Sequence, residues 1–79
     1  MRPSDTPGER AALAHERAMR AYRQAAAAHE RACRLEFTAA EFWERHGKPQ
    51  AAEQHRHAAR RHSRLAADDE QRAALSLDG

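Results

Sequence analysis

Small and apolar residues return along the first half of the chain in steps of three and four. Ala11, Ala18, Ala25, Ala32 and Ala39 form one series, and Ala14, Ala21, Ala28, Leu35 and Phe42 form a second beside it. The segment Ala14–Arg20, AHERAMR, recurs as AHERACR at Ala28–Arg34, an offset of two heptads. Such a 3.5-residue period predicts a long helix that supercoils left-handedly against another. The second half repeats the device with Ala52, Ala59, Ala66 and Ala73, flanked by Ala51, Ala58 and Leu65.

Helix punctuation agrees with the period. Thr6 is placed to cap the first helix, with Pro7 at its first position and Glu9 three residues after the cap. Gly47 supplies a left-handed exit after His46, and Pro49 opens the next helix. The sequence therefore predicts an all-α fold, two helices at about 7–46 and 49–75. Residues 1–6 are read as a disordered arm and 76–79 as a frayed end. One alternative is a break near Thr38, where Thr38 and Glu41 form a second capping box stapled by Phe37 and Phe42.

A turn this short forces the helices antiparallel. Counting outward from it sets Leu35 beside Ala59 and Ala32 beside His62. The two Ala series of the first helix then serve as its core positions. The longer first helix overhangs by about 13 residues, a register count from helix geometry.

Composition narrows the function. Ala fills 20 of 79 positions, while Val and Ile are absent. Strands lack their usual residues, and no apolar run is long enough to span a membrane. A buried methyl contributes only about 0.8 kcal/mol, so an Ala-lined hairpin buries little and implies a partner. The expected partner is a second copy forming a four-helix bundle, or another protein. The interface residues expected are Ala18, Ala25, Ala32, Leu35, Phe42, Trp43, Ala52, Ala59 and Leu65. The overhang, with Leu13, Met19 and Tyr22, is the candidate second docking site.

Charge adds a competing reading. The net charge is only +2, below what a dedicated nucleic-acid binder carries on one segment. Residues 54–67 nonetheless hold no acid, and Arg56, Arg60 and Arg64 share a stripe, with Arg61 adjacent. That stripe is a candidate phosphate-tracking face.

Six histidines are the least ordinary feature. His29 and Cys33 lie one turn apart, and His62 is expected opposite them. Together they supply three of the four ligands of a zinc or other transition-metal site, with Glu36 or water as the fourth. His55 and His62 at seam positions give a second option, a bundle that responds to pH. His15, Tyr22, His29, Glu36 and Trp43, seven apart, are read as one flank of the seam. No Gly-rich phosphate loop and no nucleophile constellation is present, so no enzyme is expected and no cofactor is required. Cys33 is the single cysteine, which excludes an intrachain disulfide. The first ten residues hold no apolar signal core, and a cytoplasmic bacterial protein is expected.

Around the turn, Ala40, Trp43, Gly47, Ala52 and Ala59 fall at the small, aromatic, glycine and alanine positions of a tetratricopeptide repeat. The chain resembles a single hairpin of that family over about residues 36–62. The resemblance implies close-packed hairpin geometry. Arg56 stands where the family usually has an aromatic, Arg64 where a closing Pro is common, and the first helix exceeds a repeat unit. The texture also resembles short Ala/Arg/His-rich helical proteins of high-GC actinobacteria.

Overall fold

The computed structural model describes residues 6–78, with side chains described through 75. Helix α1 runs Pro7–Arg45 and helix α2 runs Pro49–Asp78. They pack against each other as an antiparallel hairpin, 66 × 23 × 11 Å, with no strand among the described residues. Apart from Thr6, the arm expected at 1–6 lies outside the described residues, as does Gly79. The backbone of α2 stays helical through Asp78, three residues past the expected end. The length difference between α1, 39 residues, and α2, 30 residues, is accordingly smaller than expected.

Both ends of α1 are set by local chemistry. Thr6 Oγ1 accepts a hydrogen bond from the Glu9 amide at 3.2 Å, satisfying one of the unpaired first-turn donors. Pro7 follows at the first helical position, where its missing N–H costs nothing. At the other end Gly47 adopts φ +71°. Its amide donates to the Glu44 carbonyl at 3.2 Å, and the Lys48 amide to the Trp43 carbonyl at 2.9 Å. That pair of bonds is a Schellman motif, which closes the helix and reverses the chain. The imidazole Nδ1 of His46 adds a bond to the Phe42 carbonyl at 2.7 Å.

The break near Thr38 does not occur. Thr38 Oγ1 donates instead to the Arg34 carbonyl at 3.0 Å, one turn back in the same helix. A hydroxyl used this way is not capping a new helix, and no Gly or Pro interrupts the ladder.

The seam differs from the expected one on one side only. On α2 it is as anticipated: Ala52 and Ala59 are fully buried, and Ala66 and Ala73 nearly so. On α1 the buried residues are Met19, Ala26 and Ala40. Tyr22, His29, Cys33, Glu36 and Trp43 are half-buried around them. The stripe read as a flank is therefore the seam itself, and the Ala series lies beside it. Ala25, Ala32 and Ala39 are half-buried, while Ala11, Ala14, Ala18, Ala21, Ala28, Leu35 and Phe42 are exposed. The turn explains the shift. A three-residue reversal, His46–Lys48, directs α2 over the side of α1 that carries Ala40 and Trp43. The heptad period then carries that phase back through Glu36, Cys33, His29, Ala26, Tyr22 and Met19.

Candidate protein-interaction surface

The longitudinal pairing follows the count from the turn. His29 meets His62, with their Nδ1 atoms 3.0 Å apart, and its Nε2 lies 3.8 Å from Asp69 Oδ2. Those partners bracket Leu65, the level that counting sets opposite His29. One level nearer the turn, His55 Nδ1 contacts Glu36 Oε2 at 3.0 Å. Asp69, only 8% exposed, also accepts from Arg72 Nη1 at 3.3 Å. The interior of the hairpin is thus Ala methyls alternating with hydrogen-bonded polar groups. No buried side-chain nitrogen or oxygen among the described residues lacks a hydrogen-bond partner, so the polar layer avoids the cost of an unpaired buried group.

The hairpin presents two unlike faces. In an antiparallel pair, the residues flanking the seam on one side of α1 meet those on the same side of α2. One side is ionic. Arg56 Nη2 donates to Glu44 Oε2 at 2.9 Å, and Arg56 Nη1 to Glu53 Oε2 at 3.3 Å. Arg60 Nη2 donates to Glu53 Oε1 at 3.0 Å. The two arginines hold the Glu53 carboxyl below the usual carboxylate range, chiefly through the Arg60 hydrogen bond and then that of Arg56. The Arg56 guanidinium is pushed up, first by Glu44 and then by Glu53. Farther along the same side Glu30 is the neighbour of Glu70, and sharing a proton with it raises the Glu70 carboxyl above its ordinary value.

The opposite side carries no charge near the seam for most of its length. There α1 contributes Ala25, Ala32 and Ala39, and α2 contributes Ala51 and Ala58, all half-buried, with Leu65 beyond them. Leu35 is 70% exposed, Phe42 46% and Leu65 41%. Phe42 packs edge-on against Trp43, ring centroids 5.1 Å apart, and stacks on His46 at 4.0 Å. These contacts hold its ring at the surface near the turn.

The expected site residues separate accordingly. Ala52 and Ala59 are consumed inside the hairpin, and Trp43 is half-buried in its seam. Ala18, Leu35, Phe42 and Leu65 remain open to solvent, with Ala25 and Ala32 half-open. Of the proposed second docking site, Met19 is buried and Tyr22 half-buried on the stripe facing α2, which leaves Leu13 exposed. Of the basic stripe, Arg56 and Arg60 are spent on Glu44 and Glu53. Arg61 lines an open groove with Gln50, Glu53, Gln54 and His57, and Arg64 is exposed.

The metal trio is not assembled. His29 and His62 come together as expected, but no group of three or more His, Cys, Asp or Glu side chains among the described residues is arranged to hold a metal ion. Cys33 instead borders a groove with Glu30, Ser63 and Glu70. Asp69 is the seam residue that sequence reasoning missed. Its signal was available: it continues the seven-residue step from His55 through His62.

No described helix is long and apolar enough to cross a membrane. Compared with protein-family models, curated proteins and solved structures, the chain gives no match. The fold is an all-α helical hairpin.

Proposed function

We propose that this hairpin is a self-associating protein-interaction module, two copies joining through their apolar faces into a four-helix bundle. One observation carries the reading. The apolar residues buried inside the hairpin are six Ala and one Met, whereas Leu13, Leu35, Phe37, Phe42, Leu65 and Leu75 are all exposed. Of these Leu35, Phe42 and Leu65 border the apolar face, so much of the bulk that would stabilise a fold lies outside it. Burying large side chains is the main favourable term in association and folding alike. A hairpin with the larger residues outside reaches a full core by joining another. No membrane span, cofactor or catalytic constellation is needed for such a role, and localisation in the cytoplasm accords with it.

Light scattering with circular dichroism, followed from about 100 μM down to nanomolar protein on the mass-action principle, tests the reading. The expected result is a dimer whose melting temperature falls with dilution. The double variant Leu35→Glu/Phe42→Glu is expected to be monomeric at micromolar concentration. A chain that stays monomeric at about 100 μM with a sharp, concentration-independent melt overturns the proposal. Nucleic-acid binding through Arg61 and Arg64 is the weaker reading, since Arg56 and Arg60 are already neutralised within the hairpin.

A further inference from the structure

The continuous apolar face belongs to α1, and its residues are distributed unevenly along the helix. The half nearest the turn carries Leu35 and Phe42; the half toward the N-terminus carries only Ala11, Ala14, Ala18, Ala21, Ala25 and Ala28. The corresponding side of α2 is interrupted, because Gln54, Arg61 and Asp68 fall between Ala51, Ala58 and Leu65. At 100° per residue, the α1 face sits at roughly a right angle to the seam with α2.

We infer that two copies dock α1 against α1 in antiparallel orientation, about a two-fold axis passing between Ala25 and Ala28. The inference rests on the self-association proposed above and adds its geometry. About that axis Phe42 of one copy faces Ala11 of the second, and Leu35 faces Ala18. Ala39 faces Ala14, Ala32 faces Ala21, and Ala25 faces Ala28. Each bulky residue meets a small one, so the helix axes keep a constant separation.

The parallel arrangement fails on the same count. It sets Phe42 on Phe42 and Leu35 on Leu35 at one end, and alanine on alanine over the rest. Helix separation depends on the side chains at the contact, so the axes would be wedged apart at the turn end and the alanines left out of contact. Topology adds a second reason. A two-fold perpendicular to α1 brings both α2 helices to one side of the contact, where Leu65 of each is covered. A two-fold along α1 sends them to opposite sides and leaves Leu65 in water. Along most of the outer flank charge does not oppose the pairing: Arg17 falls beside Thr38 and Arg31 beside Gln24. Like charges meet at Arg10 with Arg45 and, on the α2 side, at the two copies of Asp68 near the axis.

Spin-label distances on the full chain decide the matter, read with the mass by light scattering. A Cys33→Ala background carries Arg45→Cys or Gln24→Cys, both at exposed positions. The antiparallel dimer sets the Arg45→Cys labels about 55 Å apart from the helical rise. It sets the Gln24→Cys labels within about 20 Å, on helices packed about 8–10 Å apart. A dimer with a short distance at position 45, or a long one at both positions, overturns the antiparallel pairing while leaving self-association intact. A monomer overturns both. An unlabelled check uses size alone. Ala18→Leu weakens the dimer at least about tenfold, as overpacking of a filled level does, and Ala18→Leu/Leu35→Ala recovers it. Tighter association by Ala18→Leu overturns the pairing.

Discussion

The two faces of this hairpin are built from the same pair of helices and behave as different materials. On one, Glu44, Arg56, Glu53 and Arg60 form a chain of ion pairs at 2.9–3.3 Å. On the other, Ala25, Ala32, Ala39, Ala51 and Ala58 lead out to exposed Leu35, Phe42 and Leu65. Near the turn the ionic face is complete as it stands. Glu44, Arg56, Glu53 and Arg60 are partnered within the chain and screened by water, so they contribute little to stability. The apolar face has groups that gain only when another surface covers them. The difference teaches that a small helical chain can hold its pairing in a polar-laced seam and leave its larger apolar residues exposed.

Charge placed on the apolar face has the largest expected effect. Ala25→Glu with Ala32→Glu is expected to weaken the proposed dimer by more than about 100-fold, since each carboxylate would be buried without a partner. Sedimentation equilibrium reads this directly. The matched change on the ionic face, Arg56→Ala, leaves the dimer affinity unchanged. It lowers the melting temperature slightly, and the difference vanishes in 1 M salt.

Between the faces lies the seam, where Ala59 is fully buried. Ala59→Leu forces the helices apart and is expected to cost about 1–3 kcal/mol. Urea titration at fixed protein concentration measures it. Gly47→Ala is expected to cost about 1–2 kcal/mol, because the left-handed conformation crowds a Cβ against the following carbonyl. Open space around Gly47 offers the added methyl no compensating contact.

The smallest effect separates two acids of the ionic face by sign. Glu70 has its carboxyl pKa raised by the Glu30 hydrogen bond and then by that neighbour's charge. Its contribution is present at low pH and lost as pH rises through the raised value. Above it two carboxylates repel, so Glu70→Gln is expected to raise the melting temperature at pH 7 and not at pH 4. Glu53 is the reverse. Its depressed pKa gives stability that is present above the ordinary carboxylate range and lost as pH falls through the lowered value. Glu53→Gln therefore lowers the melting temperature at pH 7. Thermal melts of both variants across pH 3–8 check the two signs together.

Much of this architecture was legible before the fold was known. Thr6, Pro7, Gly47 and Pro49 mark helix ends through backbone chemistry that acts within four residues. The α2 seam at Ala52, Ala59, Ala66 and Ala73 follows from period, because the faces of α2 other than the flanking Ala51, Ala58 and Leu65 are largely charged or polar. The pairing level of His29 with His62 follows from the length of the turn. On α1, period did not decide. Two adjacent stripes share the 3.5-residue repeat, one apolar throughout and one carrying His29, Glu36 and Trp43. Apolarity favoured the first, and the hairpin uses the second.

The sequence by itself determined that there are two helices, where α1 starts and stops and where α2 starts, that they return antiparallel, and which levels meet. These depend on interactions between residues near in the chain or on counting from one turn. Only the tertiary structure decided which side of α1 faces α2. That choice depends on the direction in which the Schellman turn launches the second helix, and on whether the polar groups it brings together find partners. Here they do: His29 with His62 and Asp69, and His55 with Glu36. Hydrogen bonding makes the polar stripe an acceptable interior, and that leaves the apolar stripe of α1 outside.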